Sequence, residues 1–242
     1  MAREDFLDKT FTAPQDRCRQ TTELILRYVD AQRSLRILDL GCGTGRQLLN
    51  LAKALPQAHL TGIDIAEMNI QRAKEYARGQ SAEERLTFEV ADYLHFEAKP
   101  FDLIVSDSTL QNIDAPKATL FAKINSDLVP EGKLVVTIPY ACAYNHILWS
   151  LRRAFRLLRS PLTDSILLAV AKVLHGRRYD EPALRERIHY MYLLPHLYDC
   201  QALRQLLEAS WGLDLVGEHD VSHESLAQPK HRMLIMQKEA GV

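Results

Sequence analysis

Short apolar runs alternate along this chain with longer stretches in which apolar positions recur every three or four residues. The short runs at residues 37–40, 59–64, 86–92 and 101–106 carry β-branched and aromatic residues and end at or near an acid or a serine. Each reads as a strand, and the nearly continuous apolar run at 101–106 suits a strand buried on both faces. Between them, residues 46–55, 67–74 and 117–124 place leucine, isoleucine and alanine at helical spacing. Pro116 precedes the last of these, a position that suits a first helical turn. Pro130-Glu131-Gly132 reads as a turn into a fifth strand at 133–138. Further on, 203–211 reads as a helix, and 213–216 and 232–237 as two more strands. Repeated β-α units of this kind predict an open α/β fold: a seven-stranded, mostly parallel sheet with helices on both faces.

The rhythm stops between residues 140 and 198. Fifty-nine residues separate the fifth strand from the next core helix, where such folds need about 2–6 for the loop itself. Residues 146–159 are amphipathic, with Ile147, Leu151, Phe155 and Leu158 on one face and Arg152, Arg156 and Arg159 on another. Pro161 breaks this helix, and residues 165–174 supply a second, very apolar one. The pattern predicts one domain over residues 1–242, with an N-terminal helical segment at 1–34 and a helical substrate lid at 140–198. The simplest lid packs its apolar face on the core and leaves its arginines in water. A sharper version covers a lipophilic or anionic substrate and touches a membrane surface peripherally.

Charge changes this picture more than composition does. The net charge is −1 and 25% of residues are charged, so the whole chain shows no bias towards nucleic acid. The insertion, however, holds nine basic and four acidic residues, against 21 and 27 elsewhere. A near-neutral total therefore hides a segregated protein. The four cysteines are widely spaced, without a C-x-x-C pair, which argues against a zinc site or disulfide framework and suits a reducing, cytoplasmic setting. The first residues are polar and mixed in charge, unlike a signal peptide, and no metal site is expected.

The densest chemistry lies at Leu38-Asp39-Leu40-Gly41-Cys42-Gly43-Thr44-Gly45, where three of the chain's ten glycines fall within five positions. Strand, glycine loop and helix in that order make a nucleotide-binding corner. The dinucleotide fingerprint G-x-G-x-x-G fails, because Arg46 stands where the third glycine belongs; the P-loop fails for want of a lysine. Asp64 lies 19 positions beyond Gly45, the separation of an acid that accepts both hydroxyls of a ribose. It also suits capping of the helix that follows.

The loop as it stands resembles the first motif of the class I S-adenosylmethionine-dependent methyltransferases, and matches that pattern at every position. The resemblance covers residues 35–139 in order and 199–238 more loosely. It implies a Rossmann-like fold and S-adenosyl-L-methionine as cofactor. It also implies a site built from Asp39, Gly41, Cys42, Gly43, Gly45, Arg46, Asp64, Ile65, Asp92, Tyr93 and Ser106. In that family Asp92 and Tyr93 correspond to the adenine site, with Ile65 covering one adenine face. Residues 106–113 correspond to the motif beside the methionine portion, whose carboxylate Arg46 or Arg17 pairs with. Neither an Asn-Pro-Pro-Tyr nor a Pro-Cys motif is present, which disfavours the nucleic-acid branches.

Substrate chemistry falls to the insertion. Tyr140, Tyr144 and His146 directly follow the fifth strand, and His189 opens a second aromatic cluster. Either His146 or His189 suits the part of general base, because histidine titrates near neutrality; Tyr140 is placed to enter the pocket. The expected activity is in-line methyl transfer to a small acceptor, most similar to the ubiquinone/menaquinone-biosynthesis type, with no nucleic-acid partner. Its rivals are an aminopropyltransferase of the spermidine-synthase type, disfavoured by a basic insertion, and a non-catalytic protein that binds the same cofactor.

Overall fold

The computed structural model describes residues 12–177, 180–221 and 228–240, so residues 1–11 of the expected N-terminal segment lie outside it. Chain order is α1 (Gln15–Ile25), β1 (Arg36–Leu40), α2 (Arg46–Ala54), β2 (His59–Asp64), α3 (Glu67–Ala77), β3 (Leu86–Val90), β4 (Phe101–Asp107), α4 (Lys117–Asp127) and β5 (Leu128–Pro139). The insertion follows as α5 (Ala143–Leu157), α6 (Pro161–His175) and α7 (Glu181–Ile188), and the chain continues as α8 (Cys200–Trp211), β6 (Leu213–Val221) and β7 (His231–Lys238). The seven strands form one sheet in the order β3-β2-β1-β4-β5-β7-β6. β1 to β5 pair in parallel, and β7 runs antiparallel between β5 and β6.

The two-residue period of a strand sorts the sequence onto two faces. Ile37, Leu103, Val105, Val135, Met233 and Ile235 enter one core with the inner faces of α1, α2 and α3. Their neighbours Leu38, Leu40, Ile104, Leu134, Val136 and Leu234 enter the other, beneath α4 and α8. Strand order reverses between β1 and β4, so the loops leaving their carboxyl ends splay apart and open a crevice there.

Two expectations need correction. Residues 130–132 are not a turn before a strand but an irregularity inside β5, which spans Leu128–Pro139. Its pairing jumps from Phe101 opposite Leu128 to Leu103 opposite Lys133, with Glu131 at φ +61°. β4 offers a partner on both sides of the extra residues, so they bulge out without ending the strand.

Helix α5 of the insertion is turned relative to its pattern. Ile147 and Leu158 are 71% and 69% exposed, while Arg152 is 4% exposed. Polar anchoring sets this rotation. The Asn145 amide donates to the carbonyl oxygens of Tyr140 and Lys230 (2.7 and 2.8 Å) and accepts from the Lys230 N–H at 2.8 Å. Arg152, seven positions on, shares that inward face and donates to the Leu193 carbonyl at 3.3 Å. Both ends of the insertion are tied at one point, where Tyr140 bridges Tyr198 in parallel. Tyr198 N–H donates to Pro139 (2.9 Å) and Ala141 N–H to Tyr198 (2.8 Å).

Candidate functional site

A cavity of about 470 Å³ occupies the crevice between β1 and β4. The glycine loop forms its floor. Gly41 and Cys42 N–H groups both donate to the Ile63 carbonyl of β2 (2.9 and 3.0 Å), which folds the loop back across the strand end. Gly41, Gly43 and Gly45 have φ of +74°, +53° and +76°, conformations that cost other residues strain. A Cβ on Gly41 would also stand 2.3 Å from Thr109 Oγ1. Gly45 serves packing: a Cβ there would meet the Phe88 ring at 2.8 Å, and it is not on the cavity wall.

Carboxylates converge on this floor. Asp39, at the end of β1, is 2% exposed, and its Oδ2 has no hydrogen-bond partner. Burial, reinforced by the Asp107 and Asp64 carboxylates, pushes its pKa up to about 8. Asp64 accepts from Gly43 N–H and Ala66 N–H (both 2.9 Å) and from the Asn69 amide (3.2 Å). It thus braces the loop and the start of α3 while still facing the cavity. Burial raises its pKa, opposed by these donors. Asp92 accepts from Leu94 N–H at 3.1 Å and caps the short turn Tyr93–His95; Asp92, Tyr93 and Ile65 share one wall.

Of the remaining expected residues, Cys42, Gly43 and Arg46 line the cavity, and Ser106 does not. Ser106 is fully buried behind the wall. Strand alternation and the bend beyond β4 present Asp107 and Ser108 instead. The guanidinium of Arg17, from α1, donates to both, to Asp107 Oδ1 and at 2.8 Å to Ser108 Oγ. Arg46 donates to the Ala13 carbonyl at 3.0 Å, so α1 and the segment before it close one side.

The insertion supplies the opposite wall through Arg152, Leu193 and Pro195, joined by Gln228, Pro229 and His231. Burial lowers the Arg152 pKa to about 10, partly opposed by Tyr144. The three residues expected to act on substrate are not brought to this wall. His146 is exposed on the first turn of α5, and His189 is half-buried in the short turn after α7. The Tyr140 ring lies against the guanidinium of Arg232, 4.7 Å away. The cavity's histidine is His231, 5% exposed at the start of β7. Its Nδ1 lies 2.8 Å from the Pro229 carbonyl; a carbonyl only accepts, so Nδ1 carries the proton and Nε2 is the basic nitrogen. Sequence reading singled out Ser106 rather than Asp107 from the motif at 106–113, and it missed Arg152 and His231. Strand alternation pointed to Asp107; the other two depend on how α5 and β7 meet.

A sheet of this order, with a glycine loop and strand-end acids at its switch point, defines a nucleotide-binding α/β protein of methyltransferase architecture. Comparison with known proteins agrees. A family described as "Methyltransferase domain" matches residues 31–166. The chain belongs to the class I S-adenosylmethionine-dependent methyltransferase family.

Trans-aconitate 2-methyltransferase of Streptomyces coelicolor is 37% identical over 125 residues, 51% of this chain and 41% of that protein. Carboxy-S-adenosyl-L-methionine synthase of Campylobacter hominis is 29% identical over 134 residues, covering 55% and 56%. The chain thus spans about half the length of the curated relatives it matches. Among solved structures, magnesium protoporphyrin IX methyltransferase from Synechocystis PCC 6803 with bound SAH superposes with TM-score 0.62 at 15% identity, covering 93% of this chain and 83% of that one. The [4+2]-cyclase SpnF superposes at 0.63 with 18% identity, covering 98% and 86%, so the fold alone does not fix the reaction.

The cavity fits the family's cofactor, S-adenosylmethionine. A buried carboxylate oxygen without a partner, two further acids and a floor that a Cβ would obstruct suit a cationic nucleoside laid close to the main chain. Among the described residues, no helix is long and apolar enough to cross a membrane.

Proposed function

We propose that the protein transfers a methyl group from S-adenosylmethionine to a small acceptor carrying a carboxylate. The observation that carries this reading is Arg152, a cation 4% exposed on the wall facing the glycine loop. A guanidinium on this wall offers an acceptor's carboxylate a charge-assisted hydrogen bond. Two relatives are named for acids or acyl groups of acids, trans-aconitate and malonyl-[acyl-carrier protein], which supports the same acceptor class. They do not support the aminopropyl or non-catalytic alternatives.

In this reading Asp64 accepts from the ribose hydroxyls and Asp92 from the adenine amine, with Ile65 and Tyr93 against the ring. Asp39, Asp107 and the glycine loop hold the methionine portion. The bound cofactor supplies an electrophilic methyl group. The chain's own part is alignment and exclusion of water. A carboxylate acceptor is already ionised at neutral pH, so no general base is required. This accounts for a cavity without His146 or His189. A hydroxyl acceptor would require a base, and His231 Nε2 is the group in place for it. We place the protein in the cytoplasm, touching membranes only peripherally through the insertion.

The test is methyl transfer from S-adenosylmethionine across a panel of di- and tricarboxylic acids, their amides and matched alcohols. Turnover is expected with the acids, with Arg152→Gln raising KM about 10–100-fold, consistent with loss of a charge-assisted hydrogen bond, and His146→Ala near normal. Turnover of amides or alcohols alone, or an unchanged KM for Arg152→Gln, overturns the carboxylate reading. In the alcohol case the His231→Gln pH profile becomes the deciding measurement.

A further inference from the structure

The exposed apolar side chains of this protein are not scattered. Among the described residues, fourteen large hydrophobic side chains are at least a third exposed, and nine of them lie between residues 147 and 174, on α5, α6 and their connection. Six of these nine, together with two alanines, follow one spacing twice. Residues 147, 151, 154 and 158 are Ile, Leu, Ala and Leu, and residues 162, 166, 169 and 173 are Leu, Ile, Ala and Val. Steps of four, three and four put each set on one stripe. The buried side of α5 is a different stripe, formed by Asn145, Leu148 and Arg152, and α6 turns Leu167 and Leu168 inward. These outer stripes are therefore surplus to folding. Exposed apolar stripes of this kind on successive helices mark a binding face.

Its charge says what kind of face. Residues 143–175 hold five basic side chains and one acid. The acid, Asp164, is engaged by the Tyr192 hydroxyl. Arg153 and Arg156 are exposed beside the α5 stripe, and Arg153 lies over the Trp149 ring at 5.6 Å. Arg159 follows in the turn to α6 and lies over the Tyr192 ring at 4.8 Å. Lys172 is tied to Glu181 at 2.6 Å, and Arg152 faces the cavity instead. Leucine and valine stripes bordered by arginines and an interfacial tryptophan are what a helix needs to lie in the headgroup layer of an anionic bilayer. The apolar side chains enter the acyl boundary while guanidinium groups meet phosphates. A second copy of this chain fits less well, because a two-fold contact across the stripes sets like arginines against each other.

We propose that the outer face of α5 and α6 is a docking surface for an anionic lipid bilayer. It deepens the peripheral contact included in the proposed function and does not depend on the identity of the acceptor. The inner side of α5 carries Arg152 into the cavity, so docking holds the lid helix over the site from outside.

The test is co-sedimentation of the full chain with vesicles of phosphatidylcholine alone and of phosphatidylcholine with phosphatidylglycerol, at low and high salt. Binding is expected to the anionic vesicles only and to fall with salt. Leu158→Asp with Val173→Asp, at positions 69% and 86% exposed, is expected to reduce it more than about tenfold. Arg153→Gln should reduce it about fivefold. S-adenosylhomocysteine affinity, read by calorimetry, should stay unchanged in all variants, which separates loss of docking from misfolding and from failure of the methyltransferase reading. Absence of binding at low salt, or equal binding by the Asp variants, overturns the proposal. So does a wild-type dimer in light scattering that the Asp variants dissociate.

Discussion

Arg17 on α1 closes onto Asp107 at the end of β4, with the two side chains only 7% and 12% exposed. The same guanidinium reaches Ser108 Oγ, which accepts at 2.8 Å. The first helix is therefore fastened to the site electrostatically as well as through Leu24 and Ile25 in the core beneath. Removing the arginine strands the Asp107 carboxylate next to Asp39, and a buried ion left unpaired costs about 3–5 kcal/mol. Arg17→Ala is expected to lower stability by that order in urea unfolding. The double variant Arg17→Ala with Asp107→Asn should recover most of the loss, because the uncompensated charge is gone.

Asp39 makes the stability of the ligand-free protein depend on pH. Its native pKa is raised to about 8, against about 4 in an unfolded chain. The native state thus holds a proton that the unfolded state has released between these values. The stabilisation is complete below pH 4 and is lost as pH rises through 8. From pH 6 to pH 8 the loss is expected to be about 2 kcal/mol. Asp39→Asn cannot titrate and should show a flatter profile over this window. Urea midpoints of both proteins at the two pH values check this.

Gly41 and Gly79 isolate close approach from backbone strain. Both hold positive φ, +74° and +73°, but a Cβ on Gly79 meets nothing within 4 Å, whereas on Gly41 it runs into Thr109. Gly79→Ala is expected to cost about 1–2 kcal/mol in stability with no effect on S-adenosylhomocysteine affinity. Gly41→Ala should carry the same strain and also weaken that affinity about 100-fold or more, since the loop floor must move. Calorimetric titration of the two variants reads the difference.

Much of this fold was legible in the hydrophobic pattern because each core strand is short, regular and bounded. Ile37 and Leu38 belong to opposite cores, as strict alternation requires. The glycine loop was legible for a related reason: its chemistry resides in main-chain geometry that few residues other than glycine adopt. Local sequence also placed Asp39, Asp64 and Asp92 together, because all three sit at or just beyond the carboxyl ends of parallel strands and must share a rim.

What local sequence did not decide was how the insertion meets that rim. Helical periodicity in α5 identified an apolar stripe and assigned it to the interior; the structure turns Ile147, Leu151 and Leu158 to solvent and packs only Phe155, beside Leu167 and Ile188. Periodicity reports which residues share a face, but not which face is buried. That choice was made by Asn145, whose amide bonds both Tyr140 and Lys230, the latter 85 positions further along the chain. His231 enters the cavity for a similar reason, through the pairing of β7 with β5 and β6. The sequence by itself determined the sheet, the loop and the cofactor, all of which rest on contacts near in sequence or on strand alternation. Only the tertiary structure decided that Arg152 and His231, rather than His146 and His189, line the cavity, because long-range hydrogen bonds and not local propensity fix the orientation of the insertion.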